Sequence, residues 1–422
     1  MTDFSALYDG KVIPFLRPGP RPDRTRSDGW QLWRATLDGF TPAPRLSGRE
    51  YAGLGQRHRT LYDLHRTATH ANLRLLETPM SIQVSELMQR RLQNNAVKWN
   101  PGTMDGLMVS GGGKQGKTET VCRAAVAFEE LWRSICGEIH TKPPSGTRDE
   151  FVPVAYCRLP VRSRPKALCQ SILDIFGDPH PKTLDDLVRA TRDSLRGHRT
   201  TALIIDDVTR LRLHREDDQD TLDLIREVMD LDVTLVLVGV DIPHSGLLRD
   251  AYYDTRDGQW TFPDVKHGKS FNPQASTQTE RRFDLTELDA FDYSKPAGIT
   301  AFLEHLTGIE DQLRLLNAVD GMLTADEMPE YLFRRTKGVV GLLNRLIEDA
   351  CSVAISTGAE RLTRDLLERV TIRLSDLDDL DPESGEVPDI PAVTMSQTSS
   401  KPRKRGRNTV FDERGHSDTA GA

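Results

Sequence analysis

The chain has 422 residues, of which 37% are hydrophobic and 28% charged, and its formal net charge is −7. This length allows two or three domains with substantial cores, and the composition excludes a collagen-like or wholly disordered chain. The negative net charge argues against coating nucleic acid through bulk charge, although a local basic face stays open. The longest apolar run, 235–240, is far shorter than the ~20 residues of a membrane span, so no membrane partner is expected.

The cysteine content and the N-terminus point to a reducing compartment. Five cysteines form an odd number without a C-x-x-C pair, which argues against a disulfide framework or a zinc ribbon. The first residues lack a basic start followed by an apolar stretch, so no secretory signal is visible. We therefore expect a cytoplasmic location.

The N-terminal region divides into two predicted segments. Residues 1–45 are rich in proline and arginine with little apolar periodicity, which predicts a mobile, disordered arm. Behind the candidate N-cap Ser47, apolar residues at three- and four-residue spacing predict a helix that reaches His65. A second helix is predicted over 83–94, so residues 46–100 form a predicted helical segment.

Short apolar runs separated by helical patterns follow. They are β-branched and bounded by turn residues, which is typical of buried parallel strands. Strands that alternate with helices predict a doubly wound α/β core over residues 101–290. The five predicted strands are 107–109, 152–157, 201–205, 233–240 and 282–285.

The C-terminal part changes its period and then its composition. From Pro296 the apolar spacing is helical, with Thr363 as a candidate N-cap, which predicts a separate all-helical domain over residues 291–375. Residues 376–422 are first acidic and later basic, with too little apolar surface to offset chain entropy. This composition predicts a disordered tail.

The strongest motif is an eight-residue run that matches G-x-x-x-x-G-K-[ST] between an apolar strand and a helix. In that context glycines let backbone N–H groups wrap phosphates, and the helix N-terminus adds partial positive charge. Lys117 would reach the β- and γ-phosphates of ATP, and Thr118 would bind Mg²⁺. The predicted nucleotide-binding residues are Gly111, Gly112, Gly113, Lys114, Gln115, Gly116, Lys117 and Thr118. The other interpretation is a chance match, which residue frequencies put at roughly one per hundred chains of this length.

A second element is predicted to complete the metal site. The apolar strand 201–205 ends in two carboxylates, Asp206 and Asp207. Asp206 would bind Mg²⁺ through water, and Asp207 would polarise the attacking water, as phosphoryl transfer requires. The other interpretation is that the two acidic residues only begin a turn.

Several features together resemble an AAA+ ATPase. They are the P-loop strand and its motif, the Asp206-Asp207 pair, the strand 235–240 with Gly239, and Arg281-Arg282-Phe283 before a helical lid. Within that class the chain resembles the TniB/TnsC family of ATP-dependent regulators of DNA transposition, over about residues 45–375. The stretches that carry the family resemblance are 61–96, Leu159-Pro160 with 168–177, 280–283, and 336–343.

The resemblance implies a P-loop AAA+ fold with a C-terminal helical lid, and ATP and Mg²⁺ as cofactors. It implies that copies assemble as a ring or filament on double-stranded DNA, with a transposase and other transposition proteins as partners. Arg282 matches the family's arginine before Phe, a finger that reaches the γ-phosphate of a neighbouring subunit, with Arg281 as its substitute. The other interpretation is that Arg282 satisfies the acidic surface around Asp284 and Glu287.

Two departures from the AAA+ pattern predict slow hydrolysis. Val240 stands where many AAA+ proteins have a polar sensor-1 residue, which leaves Asp241 as a shifted candidate. Gly341 stands where many have a sensor-2 arginine, and Lys337 and Arg345 are its candidate replacements. We therefore expect an ATP hydrolase that acts as a switch more than as a motor.

Contact with DNA is predicted from a basic cluster. Arg158, Arg162, Arg164 and Lys166 follow the second strand, where a loop in an assembled ring or filament can grip phosphates without reading sequence. A solvated charged surface is the other interpretation. The basic run 401–407 is a second candidate, although disordered charge is the usual explanation of such runs.

Three functions stay open from the sequence. The first is a DNA-assembled AAA+ ATPase that recruits or activates a transposase. The second is another AAA+ role, such as a helicase loader or a defence ATPase. The third is a nucleotide-gated scaffold with little hydrolysis, for which Asp207 and Val240 are the relevant residues.

Overall fold

The structure is a computed structural model that describes residues 8, 13–100, 102–139, 151–160, 164–210, 224–225, 227–244, 252–254, 259–261 and 281–372. All of these residues lie in one unit, Met1–Asp378. The predicted tail, 376–422, lies outside the described residues.

Seven strands are present in the described residues. They are β1 (Gly106–Ser110), β2 (Val154–Arg158), β3 (Ala202–Asp206), β4 (Thr234–Val238), β5 (Tyr252–Asp254), β6 (Gln259–Thr261) and β7 (Phe283–Glu287). Five of them form one parallel sheet in the order β2–β3–β4–β1–β7, and β5 and β6 form a separate antiparallel pair. The five strands coincide with the five predicted apolar runs, and the predicted α/β class with a parallel sheet is confirmed.

Helices flank the sheet and form the lid. Before β1 lie α1 (Ser27–Ala35), α2 (Gly48–Gly53), α3 (Gln56–Ala71) and α4 (Pro79–Ala96). Within the core lie α5 (Lys117–Ile139), α6 (Pro165–Phe176) and α7 (Leu184–Gly197). The lid contains α8 (Pro296–Glu310), α9 (Met328–Thr336), α10 (Val340–Thr357) and α11 (Arg364–Glu368).

The sheet is covered on both faces because its strands are apolar on both. Leu107 and Val109 of β1 pack in one cluster with residues of α1, α4 and α5. Met108, which points the other way, packs in a second cluster with residues of α6 and α7. Two buried faces explain why β1 to β4 are nearly continuous apolar runs, whereas the edge strand β7 alternates apolar and polar residues and is only partly buried.

The described residues 13–45 of the N-terminal arm include a helix with a buried tryptophan. Trp30 of α1 is 2% exposed, and its indole N–H donates to Glu129 Oε2 of α5 at 2.6 Å. Arg34 pairs with the same carboxylate at 2.7 Å. The helix and its contacts differ from the predicted disordered arm within residues 13–45, whereas residues 1–7 and 9–12 of that arm lie outside the described residues. The physical reason is that a single indole buries a large apolar area while its N–H is hydrogen-bonded. The helix that carries it has nine residues, which is too short for a helical period of apolar residues to be recognised in the sequence.

The predicted helical segment 46–100 is divided between two parts of the molecule. α4 packs on α5 and the sheet, whereas α3 packs on α10 of the lid. A buried ion pair fixes α3 there, with Arg66 bonding Glu360 Oε2 at 2.6 Å and Oε1 at 3.0 Å. Ser47 is the expected N-cap, but the single predicted helix is broken at Leu54 and Gly55 because glycine weakens a helix.

Candidate nucleotide-binding site

The predicted phosphate loop connects β1 to α5, and the backbone at its first residue has a conformation that only glycine adopts without strain. Gly111 has φ +147°, and a Cβ there would lie 2.4 Å from the Leu288 carbonyl oxygen. Gly116, before the first residue of α5, also has a positive φ of 87°. The loop therefore opens directly onto a helix N-terminus, the geometry in which backbone N–H groups bind anions.

Lys117 is a buried cation with carbonyl partners. Its side chain is 8% exposed, and Nζ donates to the Gly111 oxygen at 2.9 Å and to the Gly112 oxygen at 2.5 Å. Burial lowers the pKa of Lys117, while the carboxylates of Asp206 and Asp207 oppose that shift. A bound phosphate would favour the charged ammonium by the same Coulomb attraction.

The structure brings Thr118 and Asp206 together. The Thr118 hydroxyl donates to Asp206 Oδ2 at 2.7 Å, although the two residues are 88 positions apart in the chain. Asp206 is 4% exposed at the carboxyl end of β3. A hydroxyl and a carboxylate beside a phosphate loop are oxygen donors of the kind that Mg²⁺ binds together with substrate phosphates. These residues therefore fit the metal that the fold implies.

Protein side chains alone do not make a metal cage in the described ranges. No group of three or more His, Cys, Asp or Glu side chains there is arranged to hold a metal ion. A cation at Thr118 and Asp206 would therefore need the phosphates of a nucleotide as further ligands. This arrangement is typical of sites where metal and nucleotide bind as one unit.

Asp207 lies in an unexpected conformation. Its φ is +59°, in the left-handed region, and its side chain pairs with Arg158 at 3.5 Å. The Asp207 amide donates to Asp206 Oδ1 at 2.8 Å. Arg158, placed by the sequence in a DNA-binding cluster, thus contacts a candidate catalytic carboxylate instead. The sequence carries no signal for this pair, because Arg158 ends β2 and Asp207 follows β3, and one sequence does not show that these two strands are neighbours.

Tyr156 is a further site residue that the sequence did not indicate. It lies in β2, is 2% exposed, and its hydroxyl donates to Asp206 Oδ2 at 2.9 Å. Burial, and then the nearby Asp206 carboxylate, raise the pKa of Tyr156 well above its ordinary value. The phenol therefore stays protonated and remains a donor.

Arg282 lies at the opposite edge of the sheet from the phosphate loop. It precedes β7, and its carbonyl accepts from the Gly106 amide at 2.7 Å at the amino end of β1. The loop begins at the other end of β1, five residues and roughly 16 Å away. The guanidinium pairs with Asp230 at 3.7 Å, a partner different from the predicted surface around Asp284 and Glu287.

The lid touches the phosphate loop at the second sensor position. The Gly341 amide donates to the Lys114 oxygen at 2.9 Å, and a Cβ at Gly341 would lie 2.5 Å from that oxygen. Glycine here permits close approach of α10 to the loop. Of the two candidate replacements, Lys337 is exposed in a left-handed turn and Arg345 pairs with Asp349 at 3.6 Å.

The other sensor position carries an apolar side chain, and two of the DNA candidates, Arg164 and Lys166, are described at the start of α6. Val240 is 47% exposed after β4. Arg164 is the exposed N-cap residue of α6, and the exposed Lys166 donates to the Lys182 oxygen at 2.7 Å. Arg162 and the basic run 401–407 lie outside the described residues.

No helix within the described residues is long and apolar enough to cross a bilayer. No curated protein matches the chain. Similar solved structures include Orc1 of Aeropyrum pernix in complex with DNA, at 13% identity and a TM-score of 0.47 over 69% of this chain and 64% of that one. Cdc6p of Pyrobaculum aerophilum has 12% identity and a TM-score of 0.45, over 73% of this chain and 72% of that one. AMPPCP-bound DnaA of Aquifex aeolicus has 17% identity and a TM-score of 0.37, over 69% and 66%.

The first of these comparisons spans less than two thirds of the other protein's length, at 64%. A family model described as an AAA domain matches residues 105–242. That range begins just before β1 and ends just after β4, so it contains the phosphate loop, Thr118 and Asp206. The chain therefore contains an AAA-type P-loop domain, and this domain holds the candidate nucleotide site.

Proposed function

We propose that the chain is an ATPase of the AAA+ class that binds ATP with Mg²⁺, assembles with further copies on double-stranded DNA, and regulates a transposase. The observation that carries the nucleotide part is the 2.7 Å hydrogen bond between Thr118 and Asp206. It joins two separately predicted motifs at one edge of the sheet, beside the buried Lys117. Each residue type is the one that phosphate and Mg²⁺ binding need.

The residues of this chain have distinct roles in the proposal. Backbone N–H groups of the loop and Lys117 bind the phosphates, while Thr118 and Asp206 hold Mg²⁺, which neutralises phosphate charge when bound. Asp207 orients the attacking water after it leaves Arg158. Because Asp207 is paired at 3.5 Å and Val240 replaces a polar sensor, turnover is slow.

Assembly rests on Arg282. Its position at the far end of β1 keeps it from the nucleotide of its own chain, but leaves it at a surface that a second copy can meet. An arginine supplied by a neighbouring subunit stabilises the charge on the transferred phosphoryl group only after assembly. ATP binding and oligomerisation are therefore linked in a ring or filament.

The proposed DNA binding rests on the basic cluster that follows β2. The proposed role with a transposase rests on the resemblance to the TniB/TnsC family. Arg162, Arg164 and Lys166 follow β2, where they can meet phosphates without reading bases. The role in transposition comes from the family motifs quoted above, and the AAA domain match is compatible with it.

A nucleotide-gated scaffold with little hydrolysis is the second candidate function. The specific observation that favours it is the left-handed backbone of Asp207 together with its pairing to Arg158. If this conformation persists when nucleotide binds, the carboxylate stays away from the water that it would have to orient.

One set of assays tests these proposals. We expect ATP or a non-hydrolysable analogue to produce particles on double-stranded DNA in negative-stain images, and ATP to be hydrolysed slowly with DNA present. Assembly without measurable turnover would favour the scaffold, and absence of nucleotide binding would refute both functions. A pull-down with a transposase encoded beside the gene tests the transposition role separately, and its failure would leave another AAA+ role.

A further inference from the structure

The Asp206 carboxylate is held by three hydrogen-bond donors. Oδ2 accepts from the Thr118 hydroxyl at 2.7 Å and from the Tyr156 hydroxyl at 2.9 Å, and Oδ1 accepts from the Asp207 amide at 2.8 Å. Donors on both oxygens fix the plane of a carboxylate, since rotation would break at least one bond. Of the two side-chain donors, Thr118 is also needed by a bound cation, whereas Tyr156 is not.

The register of the sheet places Tyr156 for this contact. β2 pairs in parallel with β3, and Tyr156 lies opposite Ile204, two residues before Asp206. The side chain therefore lies beside the strand end that carries the carboxylate, and its hydroxyl reaches past the backbone to Oδ2. No other sheet strand neighbours β2, which is an edge strand of the described sheet.

The ring of Tyr156 is itself held by the N-terminal region. Trp30 of α1 stacks against it with 6.1 Å between ring centroids and 20° between ring planes. The Arg24 guanidinium lies 5.8 Å from the Tyr156 ring centroid and pairs with Glu119 of α5 at 3.2 Å. A packed ring with 2% exposure has little freedom to turn its hydroxyl away from Asp206.

We propose that Tyr156 is a positioning residue of the nucleotide site, which orients the Asp206 carboxylate for the Mg²⁺ that accompanies ATP. The inference rests on the proposed nucleotide binding. Residues that hydrogen-bond a metal ligand commonly set its orientation, and their loss weakens metal binding by about 10- to 100-fold. A tyrosine that only filled the core would contribute to stability and leave the metal dependence unchanged.

The Tyr156→Phe variant tests this role because it removes the hydroxyl and keeps the ring packed on Trp30. The measurement is the affinity for a fluorescent ATP analogue, first with EDTA and then across a Mg²⁺ titration. We expect the Mg²⁺-free affinity to stay within about twofold of wild type, and the Mg²⁺ midpoint to rise at least about 10-fold. Thermal unfolding of the same samples reports any loss of stability.

Tyr62→Phe is the matched control. Tyr62 is a tyrosine with 1% exposure whose hydroxyl donates to the Pro44 oxygen at 2.9 Å, outside the candidate site. We expect its Mg²⁺ midpoint to equal that of wild type, even if its melting temperature falls. The control separates the loss of a tyrosine hydroxyl in general from the loss of the one bonded to Asp206.

The possible outcomes distinguish this inference from the proposed function. A wild-type protein that binds no nucleotide would refute the proposed function and the inference with it. Normal nucleotide binding with an unchanged Mg²⁺ midpoint in Tyr156→Phe would refute the positioning role alone. An equal loss of affinity with and without Mg²⁺ would also refute it, because the tyrosine would then support the whole pocket.

Discussion

The two edges of the central sheet carry the two halves of the proposed phosphoryl-transfer site. At the carboxyl ends of the strands, called here the nucleotide edge, lie the phosphate loop, Thr118 and Asp206. At the amino ends, called here the Arg282 edge, lies Arg282, paired with Asp230. The nucleotide edge has donors for phosphate and metal, and the arginine lies one strand length away from them.

If Arg282 acts on a bound nucleotide, this separation favours the nucleotide of another copy over that of its own chain. The sheet is rigid because its strands are buried and paired in register, so no local movement brings the Arg282 edge to the phosphates of the same chain. In the proposed assembly, the two edges meet when one copy presents its Arg282 edge to the nucleotide edge of the next. Substitutions at the nucleotide edge and then at the Arg282 edge test this account.

The largest effect is expected at the nucleotide edge. Lys117→Ala removes the ammonium that is buried against the phosphate loop, so we expect affinity for ATP to fall by about 100-fold or more. Fluorescent-nucleotide titration measures this loss. The matched control is Lys295→Ala, which removes an exposed lysine that pairs with Asp292 in the lid region. Unchanged affinity in Lys117→Ala would contradict the phosphate-loop assignment.

A second change at the same edge separates binding from turnover. Asp207→Asn should keep ATP binding and lower the hydrolysis rate about 100-fold, because the carboxylate that polarises the attacking water is replaced by a neutral amide. Steady-state phosphate release is the measurement. Arg158→Ala is the control, since it breaks the same ion pair and keeps the carboxylate. Equal turnover in wild type and Asp207→Asn would mean that another group orients the water.

At the opposite edge, a smaller effect on monomers and a clear effect on assembly are expected. Arg282→Ala should leave the ATP affinity of the separate chain within about twofold, and raise the protein concentration needed for assembly about 10-fold. Light scattering with a non-hydrolysable analogue measures assembly. Arg281→Ala shows which of the two adjacent arginines acts. Normal assembly and normal turnover in Arg282→Ala would mean that Arg282 has no role beyond its surface pair with Asp230.

The smallest effect concerns DNA beside the nucleotide edge. Binding should require ATP, ignore base sequence and weaken with salt, with each phosphate contact adding about −0.9 to the slope of log K against log salt. Replacing Arg162, Arg164 and Lys166 by alanine should flatten the slope by up to about 3 per subunit engaged.

Truncation after Asp381 is the control for that experiment, since it removes the basic run 401–407 and keeps the loop. If the truncated chain loses DNA binding and the triple-alanine variant keeps it, the DNA contact lies in the basic run 401–407. Binding without ATP would contradict assembly on DNA, because separate chains would then suffice.

The sequence alone indicates the parts of the candidate site that are contiguous in the chain. Phosphate binding by such a loop needs glycines and a lysine at fixed spacing. The eight residues that form the sequence pattern are therefore also the ones that would bind the phosphates. The strand that ends in Asp206 was readable for a similar reason, since a short apolar run predicts a buried strand and the acid follows directly. The strands of the sheet were found by the same rule.

The remaining contacts depend on partners far away in the chain. Trp30 meets Glu129 across 99 positions, Arg66 meets Glu360 across 294, and Tyr156 meets Asp206 across 50. A single sequence shows that each residue is able to bond but not with which partner. The ordered arm, the packing of α3 on the lid and the support of Asp206 therefore required the structure.

The most direct test of the proposed shared site mixes two chains that are each expected to be inactive. Lys117→Ala keeps Arg282 and is expected to lose tight ATP binding, whereas Arg282→Ala is expected to bind ATP and lacks the arginine. If a complete site needs the nucleotide edge of one copy and the Arg282 edge of the next, the mixture should hydrolyse ATP faster than the sum of the two separate samples. A mixture no faster than that sum would contradict the account.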